Sequence, residues 1–203
     1  MTGAVVGDDG RARCPWGDAP AIYRDYHDTE WGRPVTDTRG LFERISLEAF
    51  QSGLSWLTIL RKRDAFRAAF SCFDPAAVAR YGAADVERLL ADAGIVRNRA
   101  KVEATVANAR AVEALDMPLA DLLWGFAPTG RPAPATTGDV AATTPESVAM
   151  AKELKRRGFR FVGPTTAYAL MQAAGLVDDH LSGCWVRGVA PAGSRRAFDR
   201  GTP

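Results

Sequence analysis

With 203 residues, 47% of them hydrophobic, the chain is long enough to bury a core and too apolar for general disorder. A formal net charge of +2 excludes a strong global field, and no run of eighteen apolar residues offers a membrane-spanning helix. The first residues lack the apolar stretch of a secretory signal and three cysteines are too few for a disulfide framework, so a cytoplasmic, reducing location is expected.

Apolar residues recur at three-to-four-residue spacing and alternation is nearly absent, which predicts an all-α fold. A first helix is expected from Thr38 to Ser52, with Leu41, Ile45 and Ala49 on one stripe and Gly53 as its stop. Glu48 falls on that apolar stripe, where a carboxylate requires a partner. A structural ion pair and a ligand contact satisfy this requirement equally well. A second helix is expected from Ser55 to Phe70, with Ser55 as N-cap. Cys72, in Phe70-Ser71-Cys72-Phe73, reads as a small core hydrophobe. Shorter helices follow near 75–81 and from Ala84 to Ala93, then a long one over 98–115.

Residues 127–143, rich in Pro, Thr and Gly, read as a surface loop or linker. Thr144-Pro145 opens a helix that ends at Gly158, and another runs from Pro164 to Gly175. The joint between them, Arg157-Gly158-Phe159-Arg160-Phe161-Val162-Gly163, suits a backbone pocket for a phosphate as well as an ordinary corner between two helices. Three basic clusters, around Arg61-Lys62-Arg63, Arg97 to Lys101 and Lys152 to Arg160, fit either a phosphate footprint or solvated helix faces. The segment after Val186 reads as poorly ordered.

The chain has two histidines, and each is near a cysteine: His27 after Cys14, His180 before Cys184. Taken together these four residues form the N and S donor set that zinc favours. Four protein ligands leave no open position, so the site is structural and ties the two ends of the chain together. Aromatic residues concentrate beside it, among them Trp16, Tyr23, Tyr26, Trp31, Phe42, Phe50 and Trp56. With Glu48 they suit a planar, hydrogen-bonding, cationic ring such as a flipped nucleobase.

Cys14-x-Trp16, Tyr26-His27-Asp28-Thr29-Glu30-Trp31-Gly32, Leu47 to Trp56, the Arg157–Gly163 joint and Val177-Asp178-Asp179-His180 together resemble the bacterial type I 3-methyladenine DNA glycosylases. The resemblance spans residues 12 to 186 and its YHDxEWG and GLSW segments are specific. It implies a helix-hairpin-helix fold: a single glycosylase domain over 12–186 in two packed helical lobes, with tails at 1–11 and 187–203. The implied protein is a monomeric base-excision repair enzyme without a membrane or organic cofactor, which hydrolyses the N-glycosidic bond of 3-methyladenine in alkylated double-stranded DNA. Free 3-methyladenine is the product.

By matching motif positions, Cys14, His27, His180 and Cys184 would hold a structural zinc. Glu48 would serve catalysis by accepting hydrogen bonds from the extruded base, with Tyr26, Trp56 and Trp16 as pocket walls. Gln51, Gly53 and Leu54 would meet the duplex, and Gly158 to Gly163 its phosphates. No lysine is placed as a Schiff-base nucleophile after the hairpin, so no strand-cleaving step is expected. Asp178 lies where many relatives of this hairpin carry a catalytic aspartate, and reads as a cap beside the metal or as an electrostatic aid. Ala49 and Phe50 depart from the Gly and Gln of some members. The alternative is a non-catalytic, zinc-stabilised helix-hairpin-helix module that binds DNA.

Overall fold

The computed structural model describes residues 2–188 and is mostly helical. The expected signals place most helix ends. Asp37 accepts a hydrogen bond from the Gly40 amide, starting the helix Thr38–Gln51. Thr144 and Ser147 form a reciprocal cap at Pro145–Arg156, and Pro164 opens Pro164–Ala173. In chain order the helices are α1 Ala21–Thr29, α2 Thr38–Gln51, α3 Trp56–Arg61, α4 Arg63–Ala69, α5 Pro75–Ala79, α6 Ala83–Ala91, α7 Arg99–Glu113, α8 Leu119–Trp124, α9 Pro145–Arg156 and α10 Pro164–Ala173. The α2 stripe of Leu41, Phe42 and Ile45 is fully buried, in one core with Phe66, Phe70, Leu154 and Met171. Helix α7 packs against α5 and α6, and α10 against α9 and α2.

Several expectations are corrected. The helix expected over Ser55–Phe70 is two, broken at Lys62, whose ammonium donates to the Ala93 and Gly94 carbonyls. Helix α1 was not expected, because its inward face carries Tyr26 and His27 instead of an aliphatic stripe; α8 is too short to show a period. Two short strands, β1 Val5–Val6 and β2 Ala12–Arg13, pair antiparallel, so residues 2–11 are partly built into a hairpin where a flexible tail was expected. Cys72 is exposed, not core: residues 71–73 turn with positive φ, which buries Phe73 and directs Cys72 outward. The expected tail from 189 onward lies outside the described residues.

Candidate functional site

The aromatic residues of the N-terminal third do not all join the core. Helices α1, α2, α3 and α10, the 127–143 segment and residues 179–181 enclose a cavity of about 360 Å³. Trp16, Tyr23, Tyr26, Trp31 and Trp56 form its walls. Tyr26 and Trp56 meet at a tilt of 47° with ring centroids 5.3 Å apart, and Trp16 meets Trp31 edge-on at 4.9 Å. Phe42 and Phe50, grouped with these rings by composition, instead lie in the hydrophobic core. Gln51, Gln172 and Asp179 supply polar lining.

Glu48 lies on this lining, 6% exposed, and its carboxylate has no hydrogen-bond partner among the described residues. Burial pushes its pKa up to about 8, opposed by the charge of Arg44. Arg44 is itself engaged, donating to the carbonyls of Ala173 and Gly40. The Trp56 indole N–H is likewise buried without a partner. Buried polar groups in folded proteins are normally satisfied, so an unpaired carboxylate and an unpaired N–H on one aromatic cavity mark a ligand site.

Asp179, not Asp178, reaches the cavity. Asp179 accepts hydrogen bonds from the Tyr168 hydroxyl and from Gln172 Nε2. Asp178 faces away, accepting the His180 amide at 3.1 Å and pairing with His180 Nδ1 at 2.9 Å. Sequence reasoning missed Asp179 and Gln172; two adjacent aspartates gave no sign of which one turned inward.

The ligand atoms of Cys14, His27 and Cys184 lie within 4.8 Å of one another, in a buried group that could hold a metal ion. A hydrogen bond from the Cys14 thiol draws the Cys184 pKa down to about 4, while the same contact pushes Cys14 up. His180 stands outside that three-residue group, yet its ring centroid is 4.9 Å from that of His27 and its Nε2 is buried without a partner. Each imidazole is held from behind by an aspartate at Nδ1, Asp28 for His27 at 2.8 Å and Asp178 for His180. Carboxylates in this position orient ligand histidines. Arg13, 1% exposed, bonds both Asp28 and Asp9 and so ties the hairpin turn to the back of the site.

Gly53 and Leu54 sit on an exposed turn directly after α2, closed by the Leu54 amide donating to the Gln51 carbonyl at 2.6 Å. Gly158 and Gly163 are exposed between α9 and α10, with Phe161 at positive φ between them. None of these four glycine and leucine positions lines the cavity. Much of the basic character is internally paired: Arg63 with Glu30, Arg99 with Glu87, Arg156 with Glu153 and Arg157 with Asp116. Arg61, Arg97, Lys152, Lys155 and Arg160 are exposed and have no ion-pair partner among the described residues. No helix among the described residues is long and apolar enough to cross a membrane.

Comparison with known proteins narrows what this cavity belongs to. A family profile described as methyladenine glycosylase matches residues 16–187. DNA-3-methyladenine glycosylase 1 of Escherichia coli strain K12 is 48% identical over 178 residues, covering 85% of this chain and 95% of that one. The crystal structure of a 3-methyladenine DNA glycosylase I superposes with a TM-score of 0.82 at 47% identity, covering 88% of this chain and 100% of the other. A variant of 3-methyladenine DNA glycosylase I in complex with 3-methyladenine superposes with a TM-score of 0.79 at 36% identity, covering 86% and 96%. Profile, relative and structure coincide over the segments that build the cavity, and the chain belongs to the methyladenine glycosylase family.

Proposed function

We propose that this chain is a DNA-3-methyladenine glycosylase: it extrudes the methylated base from double-stranded DNA into the aromatic cavity and hydrolyses its glycosidic bond. The observation that carries this reading is Glu48, a buried carboxylate without a hydrogen-bond partner among the described residues, on the same cavity as the rings of Tyr26 and Trp56. Methylation at N3 makes adenine cationic in DNA. Its bond to the sugar is then already weak, and the base is a good leaving group. A carboxylate that accepts its N–H groups and aromatic faces that attract its charge bind it in preference to neutral adenine. A non-catalytic DNA-binding module has no use for such a carboxylate.

In this reading Glu48 is the catalytic contact, Tyr26 and Trp56 stack on the base, and Trp16 completes the wall. Gln51, Gly53 and Leu54 enter the space vacated in the duplex. Gly158 to Gly163 form a helix-hairpin-helix phosphate site, supported by the unpaired Lys155 and Arg160 nearby. The reaction in this reading is hydrolysis without a strand-cleaving step, with no lysine among the described lining residues to serve as a Schiff-base nucleophile. Residues 12–186 act as one domain, as a cytoplasmic monomer. Cys14, His27, Cys184 and His180 hold a structural zinc; the free His180 Nε2 supports the fourth ligand, and the thiolate and imidazole donors suit that ion.

The test is release of free 3-methyladenine from methylated duplex DNA, with Glu48→Gln alongside. The wild type releases base and the variant loses most of the rate, on the order of a hundredfold. A wild type that releases none, under conditions where it binds the duplex, refutes the enzymatic reading.

A further inference from the structure

Helix α7 makes no contact with the cavity, yet two of its buried polar side chains bond the backbone of other elements. Lys101, 7% exposed, donates from Nζ to the Phe50 carbonyl at 2.8 Å and to the Ser52 carbonyl at 2.5 Å. These carbonyls are at the open end of α2, immediately before the exposed Gly53–Leu54 turn. A helix C-terminus leaves such carbonyls without partners and carries partial negative charge, so an ammonium satisfies both needs. Asn108, fully buried, accepts the Arg160 amide at 2.7 Å and donates to the Arg160 carbonyl at 3.1 Å. Arg160 is in the middle of the turn between Gly158 and Gly163.

Lys101 and Asn108 are seven residues apart on α7. Seven residues make about two turns, so both side chains leave the same face, about 10 Å apart along the axis. Burying an ammonium and an amide costs more than burying aliphatic groups of the same size. What the two residues add, beside the packing of α2 on α10, is a direct tie from one helix to the backbone of each turn.

We infer that Lys101 and Asn108 are positioning residues for duplex DNA: α7 is the ruler that sets the distance between the turn entering the duplex and the hairpin holding its phosphates. This rests on the reading of 51–54 and 158–163 as DNA-contacting. A ruler acts only when both turns are engaged at once. It governs reaction on duplex DNA and leaves binding of the free base alone.

The experiment measures two things for each variant: single-turnover excision from methylated duplex, and affinity for free 3-methyladenine by tryptophan fluorescence. Lys101→Met and Asn108→Leu each lose on the order of a hundredfold in excision, the loss a small misplacement of reacting groups brings, while free-base affinity stays within about twofold. Lys101→Arg recovers most of the excision, because it restores donors to the two carbonyls. Should a severe variant not fold, Asn108→Ser, which removes the carboxamide pair but leaves a small neutral hydroxyl, carries the test with an expected loss of about tenfold. Excision unchanged in Lys101→Met, or free-base affinity lost in parallel with excision, overturns the ruler. Leu54→Ala and Arg160→Ala separate the ruler from the reading beneath it. If they lose excision and the α7 variants do not, the ruler alone fails; if they keep excision, the DNA assignment of the turns fails and takes the ruler with it.

Discussion

Glu48 shows how a single side chain on the wrong face of a helix reports a site. Its position on the α2 stripe forces it inward, and inside it meets rings instead of a cation within bonding distance. The consequence is a carboxyl whose pKa rises to about 8 through burial. An unfolded glutamate releases its proton near 4.5. Between these values the folded protein holds a proton that the unfolded chain has lost, so this group lowers stability as pH rises from about 4.5 to 8. Glu48→Gln removes that dependence. The unfolding free energy of the variant minus that of the wild type, from denaturant melts at each pH, should be near zero at the acid end of the window and grow toward the alkaline end, by about a few kcal/mol at most. A difference that stays flat with pH contradicts the burial of this charge. Gly32 makes a second case. Its φ is +74°, and a Cβ there would lie 2.7 Å from His180 Cε1. Gly32→Ala therefore strains the backbone and displaces the imidazole, with an expected loss of about 2 kcal/mol read by melting and, with His180 as the proposed fourth ligand, of metal content read by metal analysis.

At the scale of elements, legibility followed periodicity. Helices α2, α7, α9 and α10 carry regular apolar stripes with caps or stops at their ends, and their bounds agree with expectation to within two or three residues. Helix α1 was invisible because its inner face is made of site residues, Tyr26 and His27, which break an aliphatic pattern. The break at Lys62 depends on carbonyls of residues 93 and 94, a contact that no local window contains. The 127–143 segment was correctly free of helix and strand, but Thr137 and Val140 line the cavity, so it is more than a surface connection. In the site, the glutamate and aromatic walls were legible from residue type and helical face. The choice between Asp178 and Asp179 was not, since it turns on backbone direction past Val177. Helix α3 offers a test of element and site together. Its N-cap Ser55 accepts the Thr58 amide at 3.3 Å, and the first helical residue is Trp56. Ser55→Ala should cost about 1 kcal/mol of stability and also weaken free-base binding, because the frayed turn carries a cavity wall. Loss of stability with base affinity intact would show that Trp56 is held by its packing alone.

For the whole molecule, the Cys14–His27–Cys184 group, which could hold a metal ion, links residues near the two ends of the described chain to the cavity through rings. Trp16 meets His27 edge-on at 5.1 Å, and Trp31 meets His180 at 4.6 Å. Both tryptophans line the cavity, so the two imidazoles support the aromatic wall on one side, and His27 presents its Nε2 to Cys184 on the other. Hairpin β1–β2 adds to the clasp from behind, through Asp9, Arg13 and Asp28. If the group holds zinc as proposed, its removal leaves the buried Cys14, His27 and Cys184 donors and His180 Nε2 without their partner, and such groups demand relaxation toward water. Trp16 and Trp31 touch these imidazoles edge-on and would feel that relaxation. Chelation should accordingly lower the melting temperature and weaken free 3-methyladenine binding together, and added zinc should restore both. Cys184→Ser should do the same without chelator. If the metal-free protein melts earlier yet binds the free base with unchanged affinity, the clasp serves stability only, and the aromatic wall is held by the core beneath it.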